Sequence, residues 1–114
     1  MKLTSQSIQE NQPIAGEFAF CIPNDKSRVC LGNNKSPELS WSDAPADTKS
    51  FAVICVDPDV PSVGDNVNVE GREVSTDLPR VDFYHWVLID LPANTKALAA
   101  GQFSSEVTPC GKAG

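Results

Sequence analysis

Two short runs constrain this chain more than anything else in it. Phe51-Ala52-Val53-Ile54-Cys55-Val56 and Phe83-Tyr84-His85-Trp86-Val87-Leu88-Ile89 carry apolar or aromatic residues at nearly every position, so neither has a polar face. The first stops at Asp57-Pro58 and the second at Asp90-Leu91-Pro92. Both are the length of a strand and rich in β-branched or aromatic residues, which pack well on a pleated surface. Periodicity alone does not separate such a run from a buried helix. The short lengths and the closing prolines favour strands, and strands apolar on both faces belong at the centre of a covered sheet.

The rest of the chain reads as short extended pieces joined by turns. Nine prolines spread through 114 residues leave little room for long helices. Within residues 1–35 the best strand candidate is Glu17–Ile22, and Gly32 followed by Asn33-Asn34-Lys35 signals a turn. Ser36–Trp41 reads as extended and Pro45–Lys49 as a second turn. Residues 58–82 form a connection longer than ordinary loops. It is acidic, with Asp59, Asp65, Glu70, Glu73, Asp77 and Asp82 against Arg72 and Arg80. A small hairpin is expected around Val63–Val74. Asn94 is placed to cap a helical turn through Leu98.

The length suits one domain over residues 1–114. A composition 40% hydrophobic and 21% charged supports a modest core. The net charge of −6 argues against non-specific nucleic-acid binding and against docking on acidic lipid surfaces, both of which need a basic footprint. No stretch approaches the ~20 apolar residues of a membrane-spanning helix, and Met1–Gln6 has no apolar signal core. The expected location is cytoplasmic. Cys21, Cys30, Cys55 and Cys110 are an even set, so disulfides are open in principle, but reduced thiols are the default in a cytosol. Cys55, inside an apolar run, reads as a small core residue.

The chemistry concentrates where the two apolar runs meet. Asp57 ends the first and His85 stands near the start of the second. In antiparallel neighbours, the end of one strand lies beside the start of the other, so both residues would share one rim. A carboxylate beside an imidazolium leaves N–H donors to offer an anion. The same pair could orient a neutral imidazole as a general base. Bland readings stand beside these: His85 as a strand-edge histidine bonded to backbone, and Asp57-Pro58-Asp59 as a turn in which the Asp bonds local N–H groups. No nucleophile motif accompanies the pair, so binding needs fewer assumptions than catalysis. No catalytic residue is assigned.

Metal and cofactor sites are not expected. Asp57-x-Asp59 starts like a calcium loop, but Pro61, Ser62 and Asn68 stand where a ligand, the required Gly and the closing Glu belong. Cys21 and Cys30 do not have zinc spacing, and no phosphate-cradling Gly-rich loop is present.

Several motifs together resemble the phosphatidylethanolamine-binding protein family, nearest its bacterial Raf-kinase-inhibitor-like branch. They are Ser36-Pro37-Glu38-Leu39-Ser40-Trp41, Ala44–Ser50, Val56-Asp57-Pro58-Asp59-Val60-Pro61 and His85–Ala93. The resemblance implies an all-β fold, an antiparallel Greek-key β-sandwich. It implies a shallow pocket for phosphate-like groups, lipid headgroups or phosphorylated side chains. By motif match Asp57 is the first Asp of D-P-D-x-P and His85 the pocket histidine. Pro58 and Pro61 fit a rigid pocket turn where cis peptides occur, and Asp59 braces it. The implied partners are a small anion and a regulated protein such as a kinase or a protease.

Two departures matter. The family's G-x-x-G-P-x-P-P loop and H-R-Y strand, which supply further anion donors, are not in this sequence, and residues 58–82 form an extended acidic insertion. The chain therefore reads as the N-terminal portion of such a domain, with the C-terminal remainder of the same polypeptide expected as its partner. The leading expectation is non-enzymatic anion binding. The alternatives are a hydrolase built on Asp57 and His85, and an interaction module acting through residues 58–82.

Overall fold

The computed structural model describes residues 1–26, 28–67 and 69–104. Extended backbone dominates it. Seven strands follow in chain order: β1 Lys2–Thr4, β2 Cys21–Asn24, β3 Arg28–Leu31, β4 Leu39–Ser42, β5 Ser50–Pro61, β6 Arg80–Pro92 and β7 Ala97–Leu98. A single 3₁₀ turn, Gly16–Phe18, is the helical element among the described residues. The fold class is all-β with antiparallel pairing, as the prolines and apolar runs predict.

The chain divides into two units, Met1–Phe51 with Asp90–Gly114, and Ala52–Ile89. The first is organised around a three-stranded sheet in the order β1-β4-β7. Its core is small: Leu39, Trp41, Leu91 and Leu98 are its buried apolar side chains, and Leu98 retains 1% of its exposure. Trp41 packs against Phe51 with ring centroids 5.3 Å apart. The expected helical turn after Asn94 is instead a turn leading into β7. Leu98 pairs with Leu39 and Ala97 with Ser40, so burial of Leu98 and the ladder to β4 outweigh local helix signals.

Polar side chains hold the ends of this sheet in place. The Ser5 hydroxyl donates to the Glu38 carbonyl at 2.5 Å, and the Gln6 N–H donates to the Glu38 carboxylate at 2.6 Å. The Ser40 hydroxyl donates to the other Glu38 oxygen. Those donors, Ser40 first and the Gln6 amide second, hold the Glu38 carboxyl below its usual range. Ser36 is buried and satisfied on three sides: its N–H donates to the Ser104 hydroxyl, its hydroxyl accepts from Phe103 N–H, and its carbonyl accepts from Gly101 N–H.

Strands β2 and β3 form a hairpin where Glu17–Ile22 was expected to be one continuous strand. Gly16–Phe18 turns first, and extension begins at Cys21. At the open end of the hairpin the Gly32 N–H donates to the Phe20 carbonyl at 2.7 Å, and a Cβ on Gly32 would stand 2.2 Å from the Ala19 carbonyl oxygen. Register pairs Cys21 with Leu31 and Ile22 with Cys30. Successive side chains alternate faces, so Cys21 and Cys30 point to opposite sides of the hairpin and do not form a disulfide with each other. Cys110 lies outside the described residues.

The second unit is the β5–β6 ribbon and its connection. Both apolar runs are strands, and each is longer than its run. β5 continues through Asp57, Pro58 and Pro61, and β6 begins at Arg80, so the connection proper is 62–79. The backbone is trans at Pro58 and Pro61. That corrects the expected cis turn: the extended strand carries straight through both prolines. The expected hairpin near Val63–Val74 is a series of turns, with Val67 N–H on Gly64 and Arg72 N–H on Val69. β6 passes into the first unit at Asp90, whose φ of 59° is a left-handed value that Asp tolerates. Among the described residues the two strands pair only with each other. Neither is covered as a central strand would be: Ile54, Val56, Phe83, Val87 and Ile89 are exposed, and so is Cys55, which is not a core residue.

Two outcomes are expected of the first unit. Leu98→Ala removes its most buried side chain and should cost about 2–5 kcal/mol, read as a lower urea midpoint; an unchanged midpoint would contradict this core. Because the folded-state pKa of Glu38 is lowered, its stabilisation is complete above the ordinary glutamate value and is lost as pH falls through the lowered one. Amide exchange at Gln6 should accelerate in acid beyond the intrinsic rate. Glu38→Gln should lack that pH dependence; matching profiles for both proteins would refute the assignment.

Candidate functional site

The site forms because β5 and β6 are antiparallel. Asp57 lies late in β5 and His85 early in β6, and the His85 Nε2 is 3.6 Å from Asp57 Oδ2. Just beyond the end of β5 and the start of β6, the Ser62 N–H donates to the Pro79 carbonyl at 2.9 Å and closes the connection. The sequence brings these two residues together through strand direction alone.

The two Asp57 oxygens have different tasks. Oδ1 accepts the Asp59 N–H at 2.9 Å, a local bond across Pro58. Oδ2 faces the imidazole at a separation longer than a direct hydrogen bond and within ion-pair range. Asp57-Pro58-Asp59 is strand and not turn, yet Asp57 makes both a local backbone bond and a contact with His85, one with each oxygen. The His85 ring meets the Phe83 ring edge-on, with centroids 4.9 Å apart. Phe83, two residues away on the same strand face, limits how far the imidazole can swing. Side-chain exposure is 53% for His85 and 44% for Asp57, so the pair is open to a ligand from solvent.

The remaining predicted residues are placed around this pair without all converging on it. Pro58 and Pro61 stiffen the end of β5 by fixing φ. Asp59 does not touch His85 in the structure's contacts; its carboxylate lies 3.8 Å from the Arg80 Nε, and its carbonyl accepts from Arg80 Nη1 at 3.5 Å. That pair is exposed on the Asp59 side and contributes little stability. It does set a guanidinium at the strand ends. Arg80 is the residue that sequence reasoning read only as a charge within the connection. Its signal was its position: a residue opening the second strand of an antiparallel pair faces the end of the first, where Asp59 sits.

The first unit holds a cavity of about 300 Å³ whose lining includes Trp41, Asp43, Phe51, Thr95 and Lys96. None of Asp57, Pro58, Asp59, Pro61 and His85 lines it. Among the described residues, no three His, Cys, Asp or Glu side chains come together as a metal-ligating group. No helix among them is long and apolar enough to cross a membrane.

Comparison with known proteins places the chain in a family. The family model described as phosphatidylethanolamine-binding protein matches residues 4–113. The chain is 40% identical over 101 residues to the UPF0098 protein YbhB of Escherichia coli, covering 89% of this chain and 50% of that protein. It is 34% identical over 101 residues to a UPF0098 protein of Chlamydia muridarum, covering 89% of this chain and 52% of the relative. Among solved structures it resembles E. coli YbcL, described as a member of the mammalian PEBP family, with a TM-score of 0.61 and 28% identity over 88% of this chain and 48% of that one. A Chlamydia trachomatis homologue of the family gives a TM-score of 0.58 and 29% identity, over 87% and 50% of the two chains. The chain thus spans about half the length of the relatives it matches. A β-rich chain with Asp57 and His85 on paired strands, matched by that family model over nearly all its length, belongs to the phosphatidylethanolamine-binding protein family.

Proposed function

We propose that this chain contributes the Asp57/His85 portion of a non-enzymatic site for a small phosphate-like anion. The observation that carries the reading is the open pair itself: an imidazole held 3.6 Å from a carboxylate, with more than half of its side chain exposed. A protonated imidazole braced by Asp57 retains N–H capacity for an incoming oxyanion, and charge-assisted bonds of that kind are the strong ones. Family membership supports a role in binding. Asp57, Pro58, Asp59, Pro61 and His85 are the proposed binding residues. Their division of labour follows the geometry: His85 donates, Asp57 orients it, the prolines stiffen the approach, and Asp59 holds Arg80.

Arg80 adds a cation near the strand ends and offsets, locally, the overall charge of −6. In the same reading, residues 1–114 are the N-terminal portion of one domain, in the cytoplasm, and a protein partner such as a kinase would be regulated through the anion site. A hydrolase would need a nucleophile or an activated water in addition to the pair. Binding needs neither, which is why it is preferred.

Titration calorimetry of the 114-residue chain with inorganic phosphate tests this. His85→Ala removes a donor whose hydrogen bond to a charged phosphate is worth roughly 1.5–3 kcal/mol and should weaken phosphate binding about tenfold or more. Leu3→Ala, outside the ribbon, should leave it unchanged. Equal phosphate affinity in the wild-type chain and His85→Ala would end the proposal.

A further inference from the structure

The cavity of the first unit contains none of the residues assigned to the anion site, and its lining has a chemistry of its own. Its volume of about 300 Å³ is at the small end of the range for ligand pockets. Buried Trp41 and half-buried Phe51 give it an apolar floor, with ring centroids 5.3 Å apart. Exposed Asp43 and Lys96 carry opposite charges at its rim, and Thr95 adds a hydroxyl. The Trp41 backbone N–H donates to the Lys96 carbonyl at 2.9 Å, so the aromatic floor and the charged rim are tied together through backbone.

Two features of this lining lack a partner among the described residues. Trp41 retains 8% of its exposure, and its indole Nε1 is buried with no acceptor. Buried indole N–H groups normally find one. Asp43 and Lys96 line the same cavity, yet neither forms an ion pair among the described residues. Asp43 Oδ2 accepts from the Ser42 hydroxyl at 2.9 Å, which leaves Oδ1 for a further donor.

We propose that this cavity binds a free apolar α-amino acid. The ammonium group of the ligand meets Asp43, its carboxylate meets Lys96 and the Trp41 Nε1–H, and its side chain lies on Trp41 and Phe51. Unpaired charges of both signs on one lining complement a zwitterion. A simple anion would face Asp43 as well as Lys96, and a simple cation would face Lys96 as well as Asp43. A carboxylate is also a strong acceptor for a buried indole N–H. A zwitterion has no net charge, so the chain's charge of −6 does not oppose its approach. The small volume suits one amino acid and not a lipid with its chains. This binding is separate from the Asp57/His85 reading and stands whether or not that pair takes phosphate.

The test follows the indole N–H resonances of the isotope-labelled 114-residue chain, which has two tryptophans, during titration at neutral pH with L-phenylalanine and, separately, with L-leucine. Trp86→Phe assigns the signal of Trp41. That signal should move downfield along a saturable curve with at least one of the two amino acids. Asp43→Asn and Lys96→Gln should each weaken binding about fivefold, as expected for charges at an exposed rim. Amide resonances of the β2–β3 hairpin should stay in place in both variants, which controls for folding. Hydrocinnamate lacks the ammonium group and phenethylamine lacks the carboxylate, and each should bind more weakly than L-phenylalanine. A Trp41 signal that stays in place with both amino acids would overturn the proposal. So would equal affinity for L-phenylalanine and either one-charge analogue, which would make the cavity an apolar site indifferent to its rim.

Discussion

Everything distinctive about this chain depends on the pairing of β5 with β6. Reversal of chain direction between them sets the end of one strand beside the start of the other, and that alone carries Asp57 to His85 across a sequence separation that no local motif could bridge. The pairing also determines what is left over. Among the described residues, β5 and β6 make up a two-stranded sheet of their own. Of the apolar side chains that make both segments good strands, Ile54, Val56, Phe83, Tyr84, Val87 and Ile89 are exposed, while Phe51, Val53, Trp86 and Leu88 are half-buried. The same interaction thus builds the candidate site and exposes the surface around it.

The site's geometry follows from a division within one carboxylate. By holding the Asp59 amide with Oδ1, Asp57 is locked against the strand and presents Oδ2 toward the imidazole in a fixed direction. The trans prolines at 58 and 61 prolong β5, so the carboxylate sits on a strand rather than at the tip of a flexible turn. Phe83 restrains His85 from its own strand. Positions held by strands and by neighbouring rings are better defined than positions on loops. The first unit reaches its stability differently, through one fully buried leucine, the Trp41–Phe51 contact and the Glu38 bonds that tie the N-terminal segment to β4.

Much of this was legible in the residues. Phe51–Val56 and Phe83–Ile89 announced their strands because apolar β-branched and aromatic content needs no context to be recognised, and antiparallel geometry then placed Asp57 against His85. What was not legible depended on distant partners. Ala97 and Leu98 became a strand because β4 was available to pair with, which no window around Asn94 could reveal. The Gly16–Phe18 turn interrupts a run whose composition favours extension. Cys55 reads as buried because its neighbours are apolar, yet burial needs a covering surface, and Cys55 itself is exposed. The role of Arg80 was hidden for a related reason: its partner Asp59 lies across the connection, and only the register of the ribbon brings them together.

The central claim is that His85, braced by Asp57, is where a phosphate-like anion binds. His85 is the one histidine in the sequence, so its ring resonances in a proton–carbon NMR spectrum belong to a single residue. Titration with inorganic phosphate at constant pH and ionic strength should move those resonances along a saturable curve, and Asp57→Ala should flatten that curve. Ring resonances that stay in place throughout the titration would contradict the account.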